Sequence, residues 1–392
     1  MAEVAANVAA AAAYQVGAYY FPNYHVDKRN EAAHGAGWTE WELVKRAEPR
    51  FPGHAQPRVP AWGYEDEADP AVFARKIDAA ADHGIGHFLF DWYWYDDGPF
   101  LQRALDEGYL KAPNHRRLKF ALMWANHDWN DIHPAKLHGR HHRLYPGPIR
   151  PATFETLTDH VIARYFSHPS YWKLGGRPYF SFYELMTFVK GMGGVPAAKE
   201  ALAHFREKAK GAGFPDLHLN AVVWGVQILP GEQAIKNPND LLAALGFDSV
   251  TSYVWIHHVA LSRFPVTPYA EVAAEAAKHW RRARGEFTLP YHPNVTMGWD
   301  SSPRTVASDV YRNAGYPFMA TLDGNTPDAF KAALRAAKAF LDEAPARPGP
   351  RVLSINAWNE WTEGSYLEPD TVHGLGYLEA VKAVFGAPPA GK

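Results

Sequence analysis

The stretch Val352-Leu353-Ser354-Ile355-Asn356-Ala357-Trp358-Asn359-Glu360-Trp361-Thr362-Glu363 decides how the chain reads. Its opening, residues 352–356, is a short apolar run of the kind a strand buried on both faces requires. It then gives way at once to an amide, two carboxylates and two indoles. Apolar runs of the same kind recur upstream at residues 16–21, 87–92, 118–124, 179–183, 217–224, 249–253 and 288–293. An amphipathic segment follows each, at 70–83, 100–110, 153–166, 196–210, 238–245, 269–284, 327–343 and 376–384. Strands that alternate with helices predict a parallel sheet, and eight such units predict a closed one. The expected class is α/β: a single-domain (β/α)8 TIM barrel over residues 16–386, preceded by an Ala-rich arm over residues 1–15. An open doubly wound sheet is the alternative, but no Gly-rich phosphate loop follows an early strand. Two connections are long, at residues 23–69 and 126–152.

Composition narrows the function. The chain has 392 residues, a net charge of −2 and no long run of one sign, which argues against a nucleic-acid partner or a polybasic membrane contact. No apolar stretch reaches the ~20 residues of a membrane span. No cysteine is present, so disulfides, thiolate metal sites and a cysteine nucleophile are excluded. The N-terminal residues lack the basic and Leu-rich parts of a secretory signal, so a cytoplasmic location is expected. Aromatic residues make up 14%, with 14 Trp, a richness that suits a ligand on which rings stack as well as it suits a core.

In such a barrel the chemistry lies where strands end. Those ends offer Tyr24 and His25, then Asp91 and Trp92, then Trp124, Asn126, His127 and Asp128. Tyr183, Trp224, Tyr253, Trp299 and Asp300 follow from the later strands, and Asn359, Glu360, Trp361 and Glu363 from the last. Aromatic faces beside amides and carboxylates are what a sugar-binding cleft needs. A Trp at a strand end caps a barrel core equally well, and Asp91 could cap a loop, although a bare carboxylate among aromatic residues is costly without a partner. Glu360 and Glu363 stand three apart; a helical turn there would bring their β-carbons to ~5–6 Å, which suits the close carboxylate pair of a retaining glycosidase. His138, His141 and His142, beside Arg140 and Arg143, read as a solvated basic loop because no carboxylate completes a familiar ligand spacing. His257 and His258 are adjacent, so their side chains diverge. No metal and no cofactor is expected.

Several segments in order resemble one family. They are Tyr19-Tyr20-Phe21-Pro22-Asn23-Tyr24-His25, Gly37-Trp38-Thr39-Glu40-Trp41, Phe51-Pro52-Gly53-His54-Ala55-Gln56-Pro57, Leu122-Met123-Trp124-Ala125-Asn126, and Asn359-Glu360-Trp361-Thr362-Glu363-Gly364-Ser365 with Leu367-Glu368-Pro369. Together they resemble the WbsX-like group, related to glycoside hydrolase family ninety-nine, the endo-α-mannosidases and endo-α-mannanases. The resemblance implies a (β/α)8 barrel and a retaining glycoside hydrolase acting on an oligosaccharide or polysaccharide. It implies Glu360 as the base at the sugar 2-hydroxyl, with a 1,2-anhydro sugar as intermediate. Glu363 becomes the acid that protonates the leaving oxygen and then the base that activates water. Trp38 joins the binding residues, and Glu368 supports them. Two departures stand out. The family's third-strand motif continues Trp-Ala-Asn-Glu-Asn-Trp, whereas this chain has His127-Asp128-Trp129, and Asp91 is atypical in its aromatic run. WbsX-like proteins carry a glycosyltransferase label from polysaccharide biosynthesis clusters. That activity, and a non-catalytic carbohydrate-binding barrel, are the two rival readings. No Asp-x-Asp or phosphate-cradling loop supports the transferase.

Overall fold

The computed structural model describes residues 14–139, 141–229, 231–235, 238–343 and 350–386. Most of the expected arm, residues 1–13, lies outside them, and residues 14 and 15 already belong to the first strand. The barrel strands are β1 (Tyr14–Tyr20), β2 (His87–Tyr95), β3 (Lys119–Trp124), β4 (Arg177–Phe182), β5 (His218–Val222), β6 (Ser249–Thr251), β7 (Tyr291–His292 with Asn294–Thr296) and β8 (Arg351–Asn356). Neighbours pair in parallel and in sequence order, and β1 returns to β8 with Tyr14 opposite Arg351 and Ala18 opposite Ile355.

Closure depends on β7. Its first piece pairs with β6 and its second with β8, and Pro293 separates the two. A proline cannot donate to a ladder, so the pairing passes from one neighbour to the other at that residue. The sequence reading placed this strand at 288–293, too early by the length of the second piece. It also ended β2 at 92; the strand runs on to Tyr95 and turns back along Gly98–Phe100 as a short antiparallel extension.

Helices α1 (Pro70–Asp82), α2 (Ala104–Tyr109, one π-helical segment), α3 (Pro151–Val161), α4 (Val195–Gly211), α5 (Asn239–Leu245), α6 (Tyr269–Glu286), α7 (Pro327–Asp342) and α8 (Gly376–Phe385) follow the strands in turn. Where the expected starts hold, the local chemistry is plain. Asp69 caps α1 by accepting from the Ala71 amide, Thr326 caps α7, and a proline sits in the first turn of each. The two long connections are structured. Residues 23–69 hold two short helices, Lys28–His34 and Trp41–Arg46, and residues 126–152 hold an antiparallel pair, Trp129–Asn130 with Arg143–Tyr145. Both cover the C-terminal end of the barrel. None of the described helices is long and apolar enough to cross a membrane.

Candidate active site

The segment after β8 forms a tight turn. Asn359 and Glu360 pair with Tyr366 and Ser365, and Trp361–Glu363 make one 3-10 turn between them. The helical turn considered for Glu360 and Glu363 is present only as that single 3-10 turn. Gly364 closes it with φ +65°, and a β-carbon there would lie 2.7 Å from Cβ of Asp300, so the position needs glycine on both counts. Side chains from elsewhere hold the turn. Asn359 accepts from the Phe21 amide and donates to the Phe21 carbonyl, both at 2.8 Å, which pins the ends of β1 and β8 together. The Tyr24 hydroxyl accepts from the Trp361 amide, and the Glu363 carbonyl accepts from the Asp300 amide.

Arg304 is the centre of the charged cluster. Its guanidinium donates to Glu360 Oε1 at 2.7 Å and to Glu363 Oε1 at 2.5 Å, and it contacts Glu40 Oε1 at 2.8 Å. Tyr316 donates to the same Glu363 oxygen at 2.7 Å. Glu40 also accepts from Asn23 and Thr362. All four charged groups are buried. Burial opposes the charge on Glu40, but Arg304, with His133 and Thr362, outweighs it and holds that carboxyl below its usual range. For Glu360, burial and then the charge of Glu363 raise the carboxyl well above its usual range, against the pull of Arg304. Glu363 is raised as well, by burial, with Arg304 and Tyr316 pulling it back down. Two raised carboxyls that share one cation thus bind protons as a coupled pair. Glu360 is raised further than Glu363, to which Tyr316 alone donates a hydroxyl bond.

These groups form one wall of a cavity enclosing about 700 Å³, mouth included. Phe21, Tyr93, Tyr183, Tyr253 and Trp299 line it, with Asp91, His127, Asp128, Trp129, His133 and His257. Burial holds His133 and His257 neutral, each pushed down to about 3.

Of the residues expected at the site, Asp91, His127, Asp128, Tyr183, Tyr253, Trp299, Glu360 and Glu363 meet at this cavity. The others do not line it. Trp92 stacks on Trp94 and meets Tyr165 edge-on, while Trp124 packs on Phe154, Phe182 and Phe188. Both face the helix layer because strand residues alternate sides: Asp91 and Tyr93 point inward, as do Met123 and Ala125. Asn126 exchanges two hydrogen bonds with the Glu184 backbone, and His25 bonds to buried Glu67. Tyr24 stacks on Trp41 behind Glu360. Trp38 is half-buried at the rim against His34 and His133. Trp224 faces a separate cavity beyond Tyr183. Asp300 is bound by His54 and Gln56, both at 2.7 Å, and these contacts, with Ser302, hold its carboxyl down to about 2 against burial. Trp361 stacks on Tyr366 at 3.8 Å. Glu368 lies beneath the turn, accepting from the indoles of Trp358 and Trp361 and pairing with Lys76 at 2.8 Å. His257 faces the cavity, whereas His258 turns away to Ser252 and His279. His138 contacts Arg312, and Arg140 lies outside the described residues.

Sequence reading missed Arg304, Glu40 and Tyr316. Glu40 sat in a quoted motif without a role. Arg304 follows Trp299-Asp300 on the loop after β7, and a buried carboxylate pair that lacks a cation nearby in sequence is the signal that asks for one.

Comparison with known proteins agrees with this architecture. Relatives from two Xanthomonas campestris pv. campestris strains, ATCC 33913 and B100, each called uncharacterized protein WxcX, are 29% identical over 373 residues, 93% of this chain. The chain spans 48% of those relatives' length. Among solved structures, the GH99 endo-alpha-mannosidase from Bacteroides thetaiotaomicron superposes with a TM-score of 0.55 at 15% identity, covering 94% of this chain and 96% of that one. A glycoside hydrolase-like protein gives 0.59 at 14%, covering 95% and 94%. At such identities the likeness is one of fold. The model of the family described as Glycosyltransferase WbsX matches residues 16–381, and the chain belongs to that family.

Proposed function

We propose that the protein is a retaining glycoside hydrolase acting on an oligosaccharide or polysaccharide. The observation that carries the reading is the pair Glu360 and Glu363, bound to one guanidinium at the wall of an aromatic-lined cavity. The two carboxyls are neighbours on one guanidinium, and a close pair is the arrangement that suits retention. Glu363 protonates the glycosidic oxygen as the bond to the anomeric carbon breaks. Glu360 takes the proton of the 2-hydroxyl, whose oxygen closes on the anomeric carbon to give a 1,2-anhydro sugar. Water, deprotonated by Glu363, then opens that ring while Glu360 returns its proton to the 2-oxygen. Because Glu360 is raised further than Glu363, substrate binding has to favour the proton on Glu363 before the first step. A hydroxyl brought against Glu360 and a glycosidic oxygen brought against Glu363 favour that placement.

The test is to incubate the protein with a panel of polysaccharides, without a nucleotide sugar, and follow the first product by proton NMR. Release of a product with retained anomeric configuration is expected. Inversion would overturn the retaining mechanism, and no release from any glycan would overturn the hydrolase. The family's name favours one second reading, glycosyl transfer; it requires activity only when a nucleotide sugar is added. Glycan binding unaltered in Glu360→Gln and Glu363→Gln, with no turnover by the parent, would mark a binding barrel.

A further inference from the structure

Among the acidic residues that line the cavity, Asp91 is the one without a basic partner. Asp128 meets Arg143, and Glu360 and Glu363 meet Arg304. Asp91 lies on the inward face of β2, opposite Met123 of β3, and is 2% exposed. Its Oδ2 accepts from the Tyr253 hydroxyl at 2.8 Å, while its Oδ1 is buried with no partner. A carboxylate in that setting would carry a desolvation penalty that the single Tyr253 bond offsets only in part, so the group takes up a proton instead. Burial pushes its carboxyl well above the usual range and the charge of Glu363 adds to this, while the Tyr253 bond and the more distant charge of Arg304 oppose it without reversing it. The protonated form has one donor and, on the protein side, nothing to donate to. The open side is the cavity that holds Glu360 and Glu363.

We propose that Asp91 carries a proton on Oδ1 and donates it to a hydroxyl of the sugar bound against Glu360 and Glu363, so that it selects the sugar epimer accepted there. The proposal rests on the glycosidase reading for its ligand, but not for the protonation. A buried donor left unmatched by the wrong epimer costs affinity, which is how hydrogen-bonding sites reject near-isosteres. The specificity is therefore set on the second strand, away from the reacting pair.

Two measurements test it. The first needs no ligand: the infrared difference spectrum in D2O, wild type minus Asp91→Asn, at pH 7. A protonated-carboxyl band lost in the variant is expected; loss of only a carboxylate band would overturn the proposal. The second uses the Glu363→Gln protein and the glycan identified in the polysaccharide panel. Adding Asp91→Leu should weaken binding by at least about tenfold more than adding Asp91→Asn, which keeps a neutral donor. Equal losses for Asn and Leu would mean that the charged form is the one used. No loss for either would remove Asp91 from the sugar contact while leaving the hydrolase standing. Failure to bind or cleave any glycan would overturn the hydrolase and the sugar contact together, with the infrared band still reporting the proton.

Discussion

Arg304 Nη1 lies 2.5 Å from Glu363 Oε1, and the same side chain reaches Glu360 and Glu40. One buried cation therefore organises three buried carboxyls drawn from both ends of the chain. Arg304→Met should cost on the order of 3–5 kcal/mol of stability by leaving buried charges uncompensated, and abolish turnover. Arg304→Lys should also lose at least about 100-fold, because a point charge cannot serve three acceptors spread around a fork. Thermal unfolding and initial rates check both; a Lys variant near wild-type rate would reduce Arg304 to a counter-charge.

Glu360→Gln and Glu363→Gln should each lower the rate at least ~100-fold. They should differ with leaving group. An aryl glycoside, whose leaving oxygen needs little protonation, should recover much of its first-step rate in Glu363→Gln and not in Glu360→Gln. The reverse pattern would exchange the two roles.

Both carboxyls of the pair are raised, so the profile of kcat/KM against pH should be bell-shaped with both limbs above the ~4.3 of an ordinary Glu. Glu363→Gln should remove the alkaline limb. A single acid limb at or below ~4.3, with no alkaline limb, would contradict the proposed sharing of a proton.

Asp300 behaves in the opposite sense. Its carboxyl is held to about 2 in the folded state, below the ~3.9 of an unfolded Asp. The stability it contributes is therefore present above pH ~4 and lost as pH falls through 2. Asp300→Asn should lower the melting temperature at pH 7 and converge on wild type towards pH 2. Parallel curves across that range would show that His54 and Gln56 bind it through shape alone.

Trp124 and Trp299 separate packing from binding. Trp124→Phe should cost roughly 1–3 kcal/mol, through the lost contacts in the helix layer and the lost bond to the Trp94 carbonyl, with KM unchanged. Trp299→Phe should raise KM, since that ring lines the cavity. A KM effect at Trp124 would place a subsite where the structure has a packed core.

The sequence by itself determined the repeat and the end of the barrel at which the candidate site lies. Eight buried strands read as apolar runs because both their faces are covered, and amides, imidazoles and carboxylates gather just past their ends. Glu360 and Glu363 were legible for the same reason, as carboxylates directly after an apolar strand. Which aromatic residues face the cavity was not legible. Trp92 and Tyr93 are neighbours on one strand, and only the register of the closed sheet sends one outward and the other in. The partners of Glu360 and Glu363 were hidden too. Glu40 and Arg304 are 264 residues apart, and no local pattern announces a contact made by closing a barrel. Charge drew them together only in the tertiary structure, since a carboxylate pair buried this deeply stays folded only with a cation beside it.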